Sequence, residues 1–198
     1  TLEKFIAQPL TLNEILANTF NGCTSLKELT ILSNASIGIN SLQGLANLNN
    51  LTLLYTNYVH SNEFEGDKNL QYVSLPSLMA VPHDLFNGFD KLETVFLPSV
   101  IQLDGSCFMD CTSLKTIDLK SATILTGDYH FTGCKQLMEI DFSSLEIVDK
   151  KSSHIFGNCK ELKTLRLPNE PPKMFNENIF LNAGTIPKIT LINETGWH

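Results

Sequence analysis

The 198-residue chain is short of positive charge, with 14 lysines and arginines against 21 acids, and no basic cluster relieves its net charge of −7. That excludes the electropositive stripe that a nucleic acid or an anionic membrane surface requires. Long apolar runs are missing too. No stretch approaches the ~20 residues of a membrane helix, and Thr1 to Leu10 lacks the charged-then-apolar order of a signal peptide, so direct membrane insertion is not expected. The chain contains no GxSxG, HExxH or GxGxxG, and no GxxxxGK followed by Ser or Thr. It reads as non-enzymatic. Close cysteine pairs of the CxxC kind are also absent, which removes the usual spacing of a zinc site. The opening residue is Thr1 rather than methionine, the expectation being a processed product or a piece excised from something longer.

What the chain does have is a repeat, and a fixed period of 20 to 50 residues decides the fold before any local propensity does. The frame is led by Phe20, Leu42, Phe64, Phe86, Phe108, Phe131, Phe156 and Phe180, at steps of 22, 22, 22, 22, 23, 25 and 24 residues. The sixth residue after each lead is Leu26, Leu48, Leu70, Leu92, Leu114, Leu137, Leu162 or Ile186. The ninth runs Leu29, Leu51, Val73, Val95, Ile117, Ile140, Leu165, Ile189, and the eleventh Ile31, Leu53, Leu75, Leu97, Leu119, Phe142, Leu167, Leu191. Leu2 to Ala7 matches the second half of the frame, so residues 1–19 read as a partial repeat ahead of the eight and residues 1–198 as one domain.

The ninth and eleventh positions alternate with polar residues, the period of a short strand with one buried face. Each repeat of about 22 residues therefore contributes one strand to a parallel sheet. A second apolar pair, as in Leu12 and Ile15, Leu78 and Val81, or Val100 and Leu103, predicts a short extended segment on the opposite wall. Pro76, Pro98 and Pro168 fall at one equivalent place after the strand, where a missing amide ends the ladder. A single coil buries too little apolar surface to hold itself together, so stability must come from stacking like residues over like. Pro171, Pro172 and Trp197 are candidates for a capping turn on the last edge.

The phrase FxxCxxLxxIxL, seen as Phe108, Cys111, Leu114, Ile117 and Leu119, resembles the BspA-like leucine-rich repeats. The repeats led by Phe20, Phe108, Phe131 and Phe156 carry it best, and the one led by Leu42 departs most, with Leu45 in place of cysteine. The resemblance covers nearly the whole chain and implies a leucine-rich repeat solenoid. It further implies a secreted or surface-exposed bacterial protein used in adhesion, binding host or matrix proteins, with no cofactor. Because its matching residues are the buried ones, it brings no binding residue with it.

Cys23, Cys111, Cys134 and Cys159 share the fourth position of their repeats and read as small inward wall residues with free thiols. Cys107 and His130 each stand one residue before a lead in successive coils, so a thiol–imidazole contact is conceivable there. Sequons at Asn34, Asn50 and Asn193 are read as accidental, since Asn50 opens an expected strand.

Variation is free only on outward positions, and function is expected there. The tenth position reads Thr30, Thr52, Ser74, Phe96, Asp118, Asp141, Arg166, Thr190, and the eighth Glu28, Asn50, Tyr72, Thr94, Thr116, Glu139, Thr164, Lys188. Tyr72 and Phe96 form a diagonal aromatic pair beside the acids Asp118, Glu139 and Asp141. The partner-binding candidates are Tyr72, Thr94, Phe96, Thr116, Asp118, Glu139, Asp141 and Arg166. The leading expectation is recognition of a protein partner. The alternatives are glycan binding through Tyr55, Tyr58 and Tyr72 near His60, and a spacer that displays another domain.

Overall fold

The computed structural model describes residues 2–8, 13–168, 172 and 177–183. The chain winds as a series of short coils whose like positions stack into columns. The first wall carries β1 (Lys4–Ala7), β3 (Glu28–Ile31), β5 (Asn50–Leu53), β6 (Tyr72–Ser74), β8 (Thr94–Phe96), β10 (Thr116–Asp118), β12 (Glu139–Asp141) and β14 (Thr164–Arg166). The second carries β2 (Glu14–Ile15), β4 (Ser36–Ile37), β7 (Ala80–Val81), β9 (Gln102–Leu103), β11 (Ile124–Leu125) and β13 (Ile147–Val148). All pairings between these strands are parallel and join equivalent residues of neighbouring coils, as in Leu29↔Leu51, Leu51↔Val73 and Val73↔Val95. Pro76, Pro98 and Pro168 each lie two residues beyond a first-wall strand.

The lead residues form one internal column. Phe64, Phe86, Phe108, Phe131, Phe156 and Phe180 stack ring on ring, with centroids 5.2–6.1 Å apart and planes within 24°. Parallel offset rings at this spacing are a favoured aromatic geometry, and every ring from Phe64 to Phe156 is buried. The thiol column has a repeated use: Cys111, Cys134 and Cys159 each donate S–H to the carbonyl of the lead residue in the coil before, Phe86, Phe108 and Phe131, at 3.0, 3.2 and 3.0 Å. All five cysteines are free.

A turn column stands two residues after the lead. Gly22, Gly44, Gly66, Gly88, Asp110, Gly133, Asn158 and Asn182 all have positive φ there, the residue types that tolerate a left-handed backbone. At Gly66, with φ of 92°, a Cβ would also come within 3.3 Å of the Gly44 Cα.

Both walls depart from a continuous ladder. On the second wall, Tyr58 and Val59 occupy the place of a strand without forming one, so β2 and β4 make a separate pair from β7, β9, β11 and β13. On the first wall, β10 ends a six-stranded sheet and β12 begins a two-stranded one. The strand expected at Lys188 to Leu191 lies outside the described residues, as do Leu12, Pro171 and Trp197.

Candidate functional site

The break in the first wall is sharply defined. In each coil the carbonyl seven residues after the lead accepts two amides from the next coil: Glu3 (by register), Lys27, Asn49, Gln71 and Glu93 all do so, and Met138 resumes the pattern toward Lys163 and Thr164. Lys115 is the exception among the described residues; neither the Met138 nor the Glu139 amide reaches its carbonyl. The apolar column shows the same opening. Ile117 is only partly buried, whereas Leu29, Leu51, Val73, Val95, Ile140 and Leu165 are closed off.

Two features of the sequence coincide with this opening. The step from Phe108 to Phe131 is the first to exceed 22 residues, and Phe142 replaces leucine in the eleventh column. The 25-residue step that follows keeps its β12–β14 ladder, so coil length alone does not split the wall. Phe142 is buried, with its ring 6.1 Å from Phe131 and 6.5 Å from Phe156. A phenyl ring beside β12, where every other coil has an aliphatic residue, adds volume to the packing at the strand that loses its ladder. The amides of Met138 and Glu139 are expected to exchange with solvent at least ~100-fold faster than those of Glu93 and Thr94, their bonded equivalents. Hydrogen exchange by NMR checks this, and Phe142→Leu should slow both.

Over the split lies a cleft of about 430 Å³ lined by Thr94, Val95, Phe96, Lys115, Thr116, Ile117, Asp118, Lys120, Met138, Glu139 and Asp141. Six of the eight candidate residues, Thr94, Phe96, Thr116, Asp118, Glu139 and Asp141, therefore surround one cavity. Tyr72 and Arg166 stand outside its lining. Tyr72 pairs in register with Thr94 and Ser74 with Phe96, so the two exposed rings sit diagonally on adjacent strands, 39% and 40% accessible. Arg166 donates from Nε to Glu139 Oε1 at 2.8 Å, and that bond raises the already high guanidinium pKa. Lys115 is likewise engaged by Glu93 at 2.6 Å.

The Cys107 and His130 pair does meet: Sγ lies 3.5 Å from Nδ1. Both residues are fully buried, and burial drives the thiol well above its ordinary pKa while it depresses the imidazole to about 4. At neutral pH both are uncharged and shielded from substrate, so the pair packs a column rather than forming a thiolate nucleophile. Ser153 presents a second superficial likeness to a catalytic set. Its hydroxyl lies 2.9 Å from Asp128 Oδ1 and 2.9 Å from His154 Nδ1, which puts serine rather than histidine in the middle. Asp128 also accepts the Ser153 amide at 2.6 Å, the bonding of a turn clasp.

Sequence reasoning passed over two buried acids. Glu63 precedes the lead Phe64 and accepts the Asn40 amide at 3.1 Å, the Leu42 amide at 2.9 Å and the Ser41 hydroxyl at 3.2 Å, so for Leu42 its carboxylate does what the backbone carbonyls of Ser41, Cys107 and His130 do for the lead amides of Phe20, Phe86 and Phe108. Asp67 stands in the thiol column and neither of its oxygens has a hydrogen-bond partner of good geometry. Burial, with a smaller contribution from the Glu63 charge, pushes it up to about 8. Asp67 was visible as a polar residue in an otherwise apolar column, whereas the column of Glu63 also holds Thr19, Ser41 and His130 and carried no such signal. On the second wall, Tyr55 and Tyr58 line a smaller pocket of about 190 Å³ with Asn34 and Ser36, at the missing strand; Tyr72 is not part of it. Tyr58 meets His60 edge to face at 5.1 Å. Among the described residues no group of three or more His, Cys, Asp or Glu is placed to hold a metal, and no helix is long and apolar enough to cross a membrane.

The sequence profile described as BspA type leucine rich repeat region (6 copies) matches residues 2–102 and 79–195. No curated protein matches in sequence. A solved leucine-rich repeat protein of T. pallidum superposes with a TM-score of 0.66 at 22% identity, covering 100% of this chain and 87% of its own. The crystal structure of a TLR13–ssRNA13 complex gives 0.58 at 18% identity over 93% of this chain and 32% of that one. A leucine-rich repeat protein from Bacteroides ovatus gives 0.49 at 23% over 83% and 49%. At these identities the likeness is one of fold.

Proposed function

We propose, from the premise that this chain belongs to the BspA-type leucine-rich repeat family, that it is a non-catalytic recognition module which binds a protein partner through its outward strand face. We place it on the surface of a bacterium or among its secreted proteins, in adhesion to host or matrix proteins. One observation carries the reading: Tyr72 and Phe96 hold two large rings about 40% exposed on adjacent strands, and Phe96 lines the cleft over the split. Exposed aromatic anchors beside polar, water-accessible neighbours are the composition of binding hot spots. The ssRNA of the TLR13 complex does not transfer, since this chain's net charge of −7 offers phosphates no attraction.

Surface plasmon resonance against a panel of purified extracellular-matrix proteins tests the proposal. At least one binder is expected whose affinity falls about tenfold or more on Tyr72→Ala with Phe96→Ala, the effect of losing one or two anchors. Met79→Ala, an exposed residue of the second wall, should leave it unchanged. A binder indifferent to the aromatic pair removes the face. A second reading, glycan binding, draws on the pocket flanked by Tyr55 and Tyr58, and a glycan array with Tyr58→Ala separates it from protein recognition.

A further inference from the structure

We infer, on the reading that the outward strand face is the binding face, that the slot between β10 and β12 receives an arginine side chain from an extended segment of the partner. The slot's width excludes a strand. Cα atoms of β10 and β12 still approach within 8 Å, whereas a strand inserted between them needs about twice the ~4.8 Å ladder spacing. A side chain fits. Its aliphatic stem would lie along Val95, Phe96, Ile117 and Met138, all in the lining, with Ile117 uncovered by the missing ladder.

The polar groups of the slot decide what the head of that side chain must be. The Lys115 carbonyl, which accepts nothing from the next coil, is an open acceptor at the break. Asp118 on β10 and Asp141 on β12 stand on its two rims and make no ion pair among the described residues. Their hydrogen bonds run to nearby backbone amides, Lys120 at 3.4 Å and Ser143 at 3.0 Å, which leaves each carboxylate with further lone pairs. The surrounding cations are mostly engaged elsewhere: Lys115 by Glu93 at 2.6 Å, and Arg166, opposite Asp141 in register, chiefly by Glu139 at 2.8 Å, with a smaller electrostatic pull from Asp141. Lys120 is the lining cation with no ion pair among the described residues, and it opposes a cationic guest. Two carboxylates and a carbonyl around an apolar slot suit a planar fork of five donors better than the compact charge of an ammonium.

The probe is the peptide acetyl-Val-Thr-Arg-Thr-Val-amide, titrated into the 15N-labelled chain, with its citrulline analogue as a neutral match in shape. The arginine peptide should shift the amides of Ile117, Met138 and Glu139. Citrulline should weaken binding about tenfold, as should Asp118→Asn with Asp141→Asn, since in each case an ion pair becomes a hydrogen bond with only one charged partner. Lys120→Gln should tighten it. Unmoved slot amides, or equal affinity for arginine and citrulline, overturns the inference. If that happens while a matrix-protein binder still depends on Tyr72 and Phe96, the slot alone is wrong. A binder that ignores the aromatic pair overturns the reading beneath it instead.

Discussion

Phe108→Ala is expected to lower the stability of the folded chain by about 3–5 kcal/mol, the range for deleting a fully buried aromatic side chain. Phe108 is 0% exposed and lies between Phe86 at 5.2 Å and Phe131 at 5.5 Å, with both planes within 13° of its own. Removing its ring leaves a cavity and also cuts the aromatic column at mid-length. A solenoid is held by nearest-neighbour interfaces, so weakening one interior interface uncouples the coils on either side. The expected urea profile, followed by circular dichroism, is therefore both lower in midpoint and broader, with a second transition as the two halves unfold separately. Phe108→Leu supplies the control. Leu42 already occupies the lead position in one coil while fully buried, so leucine should recover most of the loss and a single transition. A cost below about 1 kcal/mol for the alanine variant contradicts a packed central column.

Much of this architecture was legible because column identity is a property of spacing. Val73, Val95, Ile140 and Leu165 had to face inward if Leu29 and Leu51 did, and counting nine residues from each lead, through steps of 22, 23 and 25, told which residues would lie over which. The outward lanes followed by alternation, which is why Thr94, Phe96, Thr116, Asp118, Glu139 and Asp141 could be named together before their cleft was seen. The split itself was not legible. Ile117 and Ile140 keep their places in the apolar pattern, and a lost backbone hydrogen bond leaves no mark on side-chain type. Only Phe142, one bulky residue in a column of Leu and Ile, hinted at it. The second wall failed at Tyr58 and Val59 for a related reason, since Val59 is buried in its column yet the backbone there keeps a single bond, from the Met79 amide to the Asn57 carbonyl at 3.3 Å, and forms no ladder. The positive-φ column at Gly22, Gly44, Gly66 and Gly88 was also readable, but as a pattern of missing side chains rather than of apolar ones.

Asp67→Asn is expected to stabilise the fold increasingly as pH rises, with almost no effect near pH 4. The carboxyl is buried in the thiol column and without a well-formed hydrogen bond, and its pKa rises from 3.8 to about 8 on folding. Burial is the main cause. The backbone of Leu45 and Gly44 and the ammonium of Lys68 offset it in part, and the charge of Glu63 adds to it. Between pH 3.8 and about 8 the folded chain keeps a proton that the unfolded chain has released. Stability from this group is thus fully present below 3.8 and is lost as pH climbs through the folded value. At ~1.4 kcal/mol per unit, the loss at alkaline pH amounts to several kcal/mol, and asparagine, which cannot ionise, escapes it. His130 works in the opposite sense. Its pKa falls from 6.5 to about 4 on folding, so it destabilises the fold as pH drops through that interval. Because His130 is common to both proteins, the difference in Tm between Asp67→Asn and the parent isolates the carboxyl. That difference should climb from pH 4 and level off above about pH 8, and a flat difference across the range means that Asp67 is not held protonated in the folded chain.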